Sequence, residues 1–485
     1  MSAFSYINGL DDALSIYGKM IRMKPLPHTR VFNNLLSRIV KIKEYTVAIS
    51  VFKDMSYLGV PVSNYTLSIV INCYCSSHRV NFGLSMLSTF FKLGYVPTGA
   101  TFSPLLKGLF RENRISEAQE LFRKIVREGL CEVNNIIFGV VVDGLCKAGN
   151  VAMAIQLLRV MEEGSFRPGS HEYNMVIDGL CKDRTVDSAM KLFDEMPQKG
   201  IKRDVVTYTV LIHGLSTLSR WKEVKALWKE MIDCKRYPNV VTFNILIDAL
   251  CKEGFFKKMK IDEALHLFRE MPLKGFEPNV ATYTTILQGL FRLHKCSTAL
   301  QIFDEMQAAG HKPNFYTYCN MLNGLCGNGL VERALSLLDE IEKKGLCLHI
   351  CHYNIVIDGL CKAEKLDTAR DLVADLPSKG LELDVVTYST IINGCCENGL
   401  LDEARAFLLK MARGSCFPNG YTYNVIFRGI LRSGEFAEAT KFLDIMVGRG
   451  FYPDLATVEL LLSLLHRKEP NPTLLYMITK CAPST

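Results

Sequence analysis

The feature that most constrains this chain is a self-similarity that returns every 35 residues. Asp204-Val-Val-Thr-Tyr-Thr209, Asn239-Val-Val-Thr-Phe-Asn244 and Asp384-Val-Val-Thr-Tyr-Ser389 register on one another, and the unit they define runs over almost the whole sequence. Twelve full units span 29–63, 64–98, 99–134, 135–169, 170–204, 205–239, 240–279, 280–314, 315–349, 350–384, 385–419 and 420–454. The third has one extra residue and the seventh five, within Phe255 to Lys260. Residues 1–28 read as the second half of a preceding unit, and 455–485 as a degenerate last one serving as a cap. A chain of 485 residues exceeds what one core usually serves, whereas an array needs each unit to pack only on its neighbours.

Each unit carries two helical patterns. In the fifth, Tyr173, Val176, Ile177 and Leu180 mark an apolar stripe at three-to-four spacing. A polar turn, Lys182 to Arg184, separates it from a second stripe, Ala189, Leu192, Phe193 and Met196. Gly200 follows, where a left-handed C-terminal cap wants glycine, and glycine holds this slot in nine of the twelve units. Proline commonly comes three residues later, as at Pro238, Pro278, Pro313, Pro418 and Pro453, and blocks continuation. Alanine at the twentieth position, for instance Ala154, Ala189, Ala299 and Ala369, lets helices approach closely. Neither helix can bury its stripe alone, so the prediction is an all-α stack of helix-turn-helix units.

No stretch approaches the 18 or more apolar residues of a membrane span. The formal charge of +7 permits an anionic partner without demanding one. Cys75, Cys146, Cys181, Cys251, Cys326, Cys361 and Cys396 recur at one position of the unit, often inside Gly-Leu-Cys. Thiols one unit apart on successive helices read as small buried apolar groups rather than bridges, and imply a reducing compartment. The opening Met-Ser-Ala-Phe enters helical pattern within ten residues, with no signal peptide or transit segment. It starts in mid-unit, so a natural N-terminus is expected to be missing.

The period, the Val-Val-Thr-Tyr opening, the Ile177-Asp-Gly-Leu-Cys-Lys182 stretch and the Glu-Met before a glycine cap resemble pentatricopeptide repeats over nearly the whole chain. Gly9-Leu-Asp-Asp-Ala-Leu14 and Asn72-Cys-Tyr-Cys75 look like the P subfamily and its plant organellar restorer-of-fertility-like branch. The 34-residue tetratricopeptide units fit poorly, since the chain has two tryptophans. The resemblance implies a right-handed α-α superhelix (a solenoid) that binds single-stranded RNA, one base per repeat. It also implies a mitochondrial protein, with the plastid second.

In that family the fifth and last residues of a repeat read the base. Asp only accepts, suiting uracil or guanine, while Asn or Ser can donate, suiting adenine or cytosine. Asn at the fifth position goes with pyrimidines, and Thr or Ser with purines. Asn33 with Ser63 then implies cytosine, Ser103 with Asn134 adenine and Asn174 with Asp204 uracil. Thr209 with Asn239 implies adenine, Asn244 with Asn279 a pyrimidine and Thr284 with Asn314 adenine. Asn354 with Asp384 implies uracil, Ser389 with Asn419 adenine and Asn424 with Asp454 uracil. Ser68 with Thr98 and Cys319 with His349 are unassigned, and Gly139 with Gly169 is expected to be nearly blind. The implied target is 5′-C-?-A-?-U-A-Y-A-?-U-A-U-3′.

At the second position Tyr65, Ile136, Val206, Val241, Tyr316, Val386 and Tyr421 would stack on or wedge between bases, where an aromatic contact is worth roughly 1–3 kcal/mol. Arg30 and His171 depart from this pattern. Lys41, Arg111, Lys147, Lys182, Lys252, Arg292, Lys362 and Arg432 share the thirteenth position and would form a phosphate ladder. Plainer roles stand beside these: helix capping for the last residue, packing for the second, and a favourable helix C-terminus for the thirteenth.

Cys347-Leu-His349-Ile-Cys351-His352 lacks the paired spacing of a zinc site. No deaminase, phosphate-loop, nucleophile-elbow or metalloprotease signature occurs, so neither catalysis nor a cofactor is expected. Phe255-Phe-Lys-Lys258 reads as a tolerated surface insertion. The expected action is occupancy of an organellar transcript, any cleavage requiring a recruited nuclease. The alternative is a helical scaffold for protein partners without RNA specificity.

Overall fold

The computed structural model describes residues 9–164, 167–254, 259–345, 348–414, 416–467 and 472–481. The chain opening at 1–8, the Phe255-Phe-Lys-Lys258 insertion and Cys347 lie outside them. Among the described residues every regular element is helical, and none is long and apolar enough to cross a membrane. The chain divides into two compact units, 1–245 and 246–485.

In the first unit Leu10–Met20 precedes six helical hairpins. Their first helices are Thr29–Lys41, Asn64–Ser76, Gly99–Arg111, Asn135–Lys147, Ser170–Lys182 and Val205–Thr217. Their second helices are Tyr45–Tyr57, Val80–Lys92, Ile115–Glu128, Val151–Glu163, Val186–Gln198 and Trp221–Asp233. The second unit repeats the scheme, with first helices Val280–Arg292, Phe315–Gly327, Ile350–Lys362, Val385–Glu397 and Gly420–Ser433, and ends on the pair Leu455–Arg467 and Pro472–Cys481. Each unit is an α-solenoid, a stack of helix pairs.

Local chemistry sets the boundaries. First helices start where a polar side chain accepts an N-terminal backbone N–H, as Asp204 does from Thr207 and Asn314 from Thr317. The turn between the two helices of a hairpin passes through a left-handed residue: Gly329 takes it without penalty, but Arg184 and Glu364 take it at φ 60° and 59°. Gly200 closes the second helix at φ 74°, and Lys235 adopts the same conformation at φ 54° without being glycine.

The predicted stripes form the core: Tyr173, Val176, Ile177, Ala189, Phe193 and Met196 are buried, as are Ala154, Ala299 and Ala369. The Gly-Leu-Cys triplet has a packing meaning. A Cβ at Gly214 would fall 2.6 Å from the Cβ of Cys181, and one at Gly359 the same distance from that of Cys326. Each thiol therefore fills the notch left by the glycine of the next first helix. Cys146, Cys181, Cys251, Cys361 and Cys396 are free, and burial pushes each thiol up to about 12, which leaves them unreactive.

Candidate functional site

The last residue of a repeat is the N-cap of the next first helix, and the cap fixes which way its side chain faces. Asn239, Asn314 and Asn419 each spend Oδ1 on the backbone N–H and hydroxyl of the threonine three residues on, at 2.9–3.0 Å. Asn279 does the same with Thr282 at 3.0 and 3.1 Å. These asparagines are exposed, and their Nδ2 groups have no partner among the described residues. Each therefore presents a donor pair. Asp384 likewise commits Oδ1 to Thr387, leaving Oδ2 as an outward acceptor. Capping thus sets the polarity of the group left free at this position.

In several repeats the fifth residue packs directly behind this cap. Asn33, Asn174, Thr209, Asn354, Ser389 and Asn424 are buried. Asn33 donates through Nδ2 to Ser63 at 3.2 Å, Asn174 to Asp204 at 3.1 Å and Asn354 to Asp384 at 3.3 Å. Thus the structure brings the fifth and last side chains together in these repeats.

The residue that sequence reasoning missed is the third of the following repeat, the threonine of the Val-Val-Thr-Tyr phrase. Its hydroxyl meets the fifth residue across the repeat boundary: Thr66 on Asn33 at 2.7 Å, Thr242 on Thr209 at 2.8 Å, Thr387 on Asn354 at 2.8 Å and Thr422 on Ser389 at 2.8 Å. Its recurrence inside that phrase was the available signal. The network gives a polar residue one turn into the helix a structural reason to recur. It bridges adjacent repeats. Ser103 shows the converse, because Ile137 stands where the threonine would be and the buried Ser103 hydroxyl has no partner.

Electrostatics follow the same geometry. Burial pushes the Asp204 carboxyl up. Hydrogen bonds from the Thr207 N–H and hydroxyl, Asn174 and Ser170 outweigh burial and hold it below the ordinary carboxylate range. Asp454 differs from Asp384: both its oxygens lie 3.0 Å from Arg428, so its acceptors are already engaged. His349 caps Ile350–Lys362 by accepting the Cys351 N–H at 3.3 Å. Among the described residues no three metal-capable side chains come together.

Tyr65, Ile136, Val206, Val241, Tyr316, Val386 and Tyr421 are 54–70% exposed, so none is ordinary interhelix packing. Within each unit these apolar groups recur in water next to the N-cap side chains. The thirteenth-position cations end the first helices. Lys147, Lys182, Lys252 and Lys362 each pair with the aspartate four residues earlier at 2.5–2.7 Å, yet stay 61–70% exposed. Lys41, Arg111, Arg292 and Arg432 have no carboxylate partner among the described residues.

A stacked-hairpin fold with a repeated polar pair defines a class of repeat protein, and comparison with known proteins names it. The PPR repeat family model matches 27–76, 133–182, 168–217, 204–252, 253–292, 278–327, 349–397 and 383–432, more than half of the sequence. A second model, PPR repeat, matches 100–130, 316–346 and 421–451. The chain belongs to the pentatricopeptide repeat family.

A putative mitochondrial pentatricopeptide repeat-containing protein of Arabidopsis thaliana is 39% identical over 108 residues, 22% of this chain and 18% of the relative. Another mitochondrial member from the same plant is 38% identical over 87 residues, 18% of this chain and 14% of the relative. These alignments cover under a fifth of either relative. The crystal structure of the pentatricopeptide repeat protein PPR10 from maize superposes with a TM-score of 0.72 at 22% identity, covering 97% of this chain and 66% of that one. This likeness bears on the fold.

Proposed function

We propose that this chain is a sequence-selective single-stranded RNA-binding protein that acts by occupancy in plant organellar RNA metabolism, one base per repeat. The observation that carries the reading is the cap-fixed polarity of the last residues. Outward amide donors at Asn239, Asn314 and Asn419 are interrupted along the chain by the outward acceptor at Asp384, each beside an exposed second-position side chain. Donor and acceptor identity at a base edge is what separates adenine from uracil. Exposed tyrosines and valines supply faces for stacking, and the thirteenth-position cations supply phosphate contacts.

The reading extends the target to 5′-C-?-A-?-U-A-Y-A-?-U-A-U-3′, with the last uracil weakly specified because Arg428 occupies Asp454. The mitochondrial names of the relatives support a mitochondrial transcript as the target. Membership of the P subfamily, near its restorer-of-fertility-like branch, belongs to the same proposal. Bound RNA would be protected, silenced or handed to a recruited nuclease.

A gel shift with this strand, beside one with the A and U positions exchanged, tests it. Tight, salt-sensitive binding that prefers the proposed strand is expected. Equal weak binding to both would move the protein-scaffold reading to the front.

A further inference from the structure

The fourth repeat has Gly139 fifth and Gly169 last, so neither reading position carries a side chain. The structure fills the gap from the following repeat. Where other repeats place the bridging threonine, this one places Glu172. Glu172 is 7% exposed, and its Oε2 accepts the Gly169 backbone N–H at 2.8 Å. Its Oε1 has no donor among the described residues. That oxygen lies 3.8 Å from the point where a Cβ on Gly139 would stand, with Met175 Cε 3.7 Å from the same point. A glutamate more than nine-tenths buried thus holds one unpaired oxygen toward the space that two missing side chains leave open.

We infer that Glu172 is the specificity-determining residue of the fourth repeat and selects guanine there. The inference rests on the RNA reading proposed above. A carboxylate only accepts, so it opposes the ring acceptors of adenine and cytosine, and uracil offers it a single N–H. Guanine offers a ring N–H and an amino N–H side by side, and the free Oε1 can accept both on its two lone pairs. The larger purine also fits a gap vacated at two positions. Ile136 and His171, the second residues of the fourth and fifth repeats, are exposed and supply the flanking faces. The fourth base of the target becomes guanine rather than a blank.

The test measures binding of four twelve-nucleotide RNAs differing only at the fourth base, plus a fifth strand with adenine replacing the uracil read by Asn174 and Asp204. The wild-type chain is expected to prefer guanine by about tenfold. Glu172→Gln, which keeps an acceptor for Gly169, should compress that preference to about twofold while leaving the uracil penalty unchanged. Glu172→Asp, which retracts the carboxylate by one methylene, should weaken the preference without removing the charge, and far-ultraviolet circular dichroism checks that both variants fold. If the wild type binds all four strands equally but keeps the uracil penalty, the Glu172 assignment is overturned alone. A guanine preference that survives Glu172→Gln overturns it as well. Loss of both discriminations in the wild type overturns the assignment together with the base-per-repeat reading.

Discussion

Nδ2 of Asn354 lies 3.3 Å from Oδ1 of Asp384, so the fifth and last residues of one repeat are already hydrogen-bonded in the free protein. The Thr387 hydroxyl closes the group at 2.8 Å from each partner. The same atoms join two repeats and fix the orientation of the Asp384 carboxylate. Thr387→Val keeps the shape and strands the buried Asn354 Oδ1. The expected cost is about 1–3 kcal/mol, read as a lower thermal midpoint, with weaker uracil discrimination at the tenth base.

The thiol-in-notch packing predicts opposite signs for two formally identical substitutions. Alanine ordinarily gains about 1 kcal/mol over glycine inside a helix. Gly327→Ala, at the last residue of Phe315–Gly327 and meeting nothing within 4 Å, should show part of that gain. Gly214→Ala drives its methyl into Cys181 and should instead lose about 1–3 kcal/mol. Thermal melts of both variants decide the matter, and a gain at Gly214 would remove the packing account.

The period, the helix pairs and the buried stripes were legible because each signal is written many times. The pairing of Asn354 with Asp384 was legible only through family resemblance. Periodicity places residues on a helix, but does not say which atoms meet across two helices. Thr387 stood in plain sight within a repeated phrase, yet its hydroxyl reads as a surface group until Asn354 is seen behind it. The pairing of Lys182 with Asp178 was implicit in their four-residue spacing, whereas the capture of Asp454 by Arg428 depends on a contact across the long sequence separation of a single repeat. Glu172 drew no reading because it lies outside the two positions to which the family resemblance assigns base reading.

Acid should act through the caps. The folded Asp204 carboxyl sits below its ordinary value, so the unfolded chain binds more protons there at low pH. The stabilisation is complete above the ordinary aspartate range, near about pH 4, and fades as pH falls through the lower folded value. Asp204→Asn keeps a capping side chain and removes that proton linkage. The wild-type thermal midpoint should therefore drop more steeply than the variant's below about pH 4.

The cation ladder makes a separable claim about salt. Each phosphate contact contributes about −0.7 to the slope of log affinity against log salt for a single strand. Replacing Lys41, Arg111, Arg292 and Arg432 with glutamine should flatten that slope by about 3. Surface ion pairs are worth only about 0–1 kcal/mol, so the aspartates partnering the lysines are readily displaced. Converting Asp143, Asp178, Asp248 and Asp358 to asparagine should tighten binding and steepen the slope. Unchanged slopes in both variants would place the phosphates elsewhere.

The most direct test of base reading is a change of specificity at one repeat. Asn239 presents Nδ2 while its Oδ1 caps the helix, and aspartate caps equally well. Asn239→Asp therefore exchanges a donor for an acceptor with the fold intact. Beside Thr209, which goes with purines, the variant should lose affinity for the strand with adenine at the sixth base and gain it for the strand with guanine there. A crossed pattern in a two-protein, two-RNA binding measurement is the predicted result. Parallel changes on both strands would contradict the account.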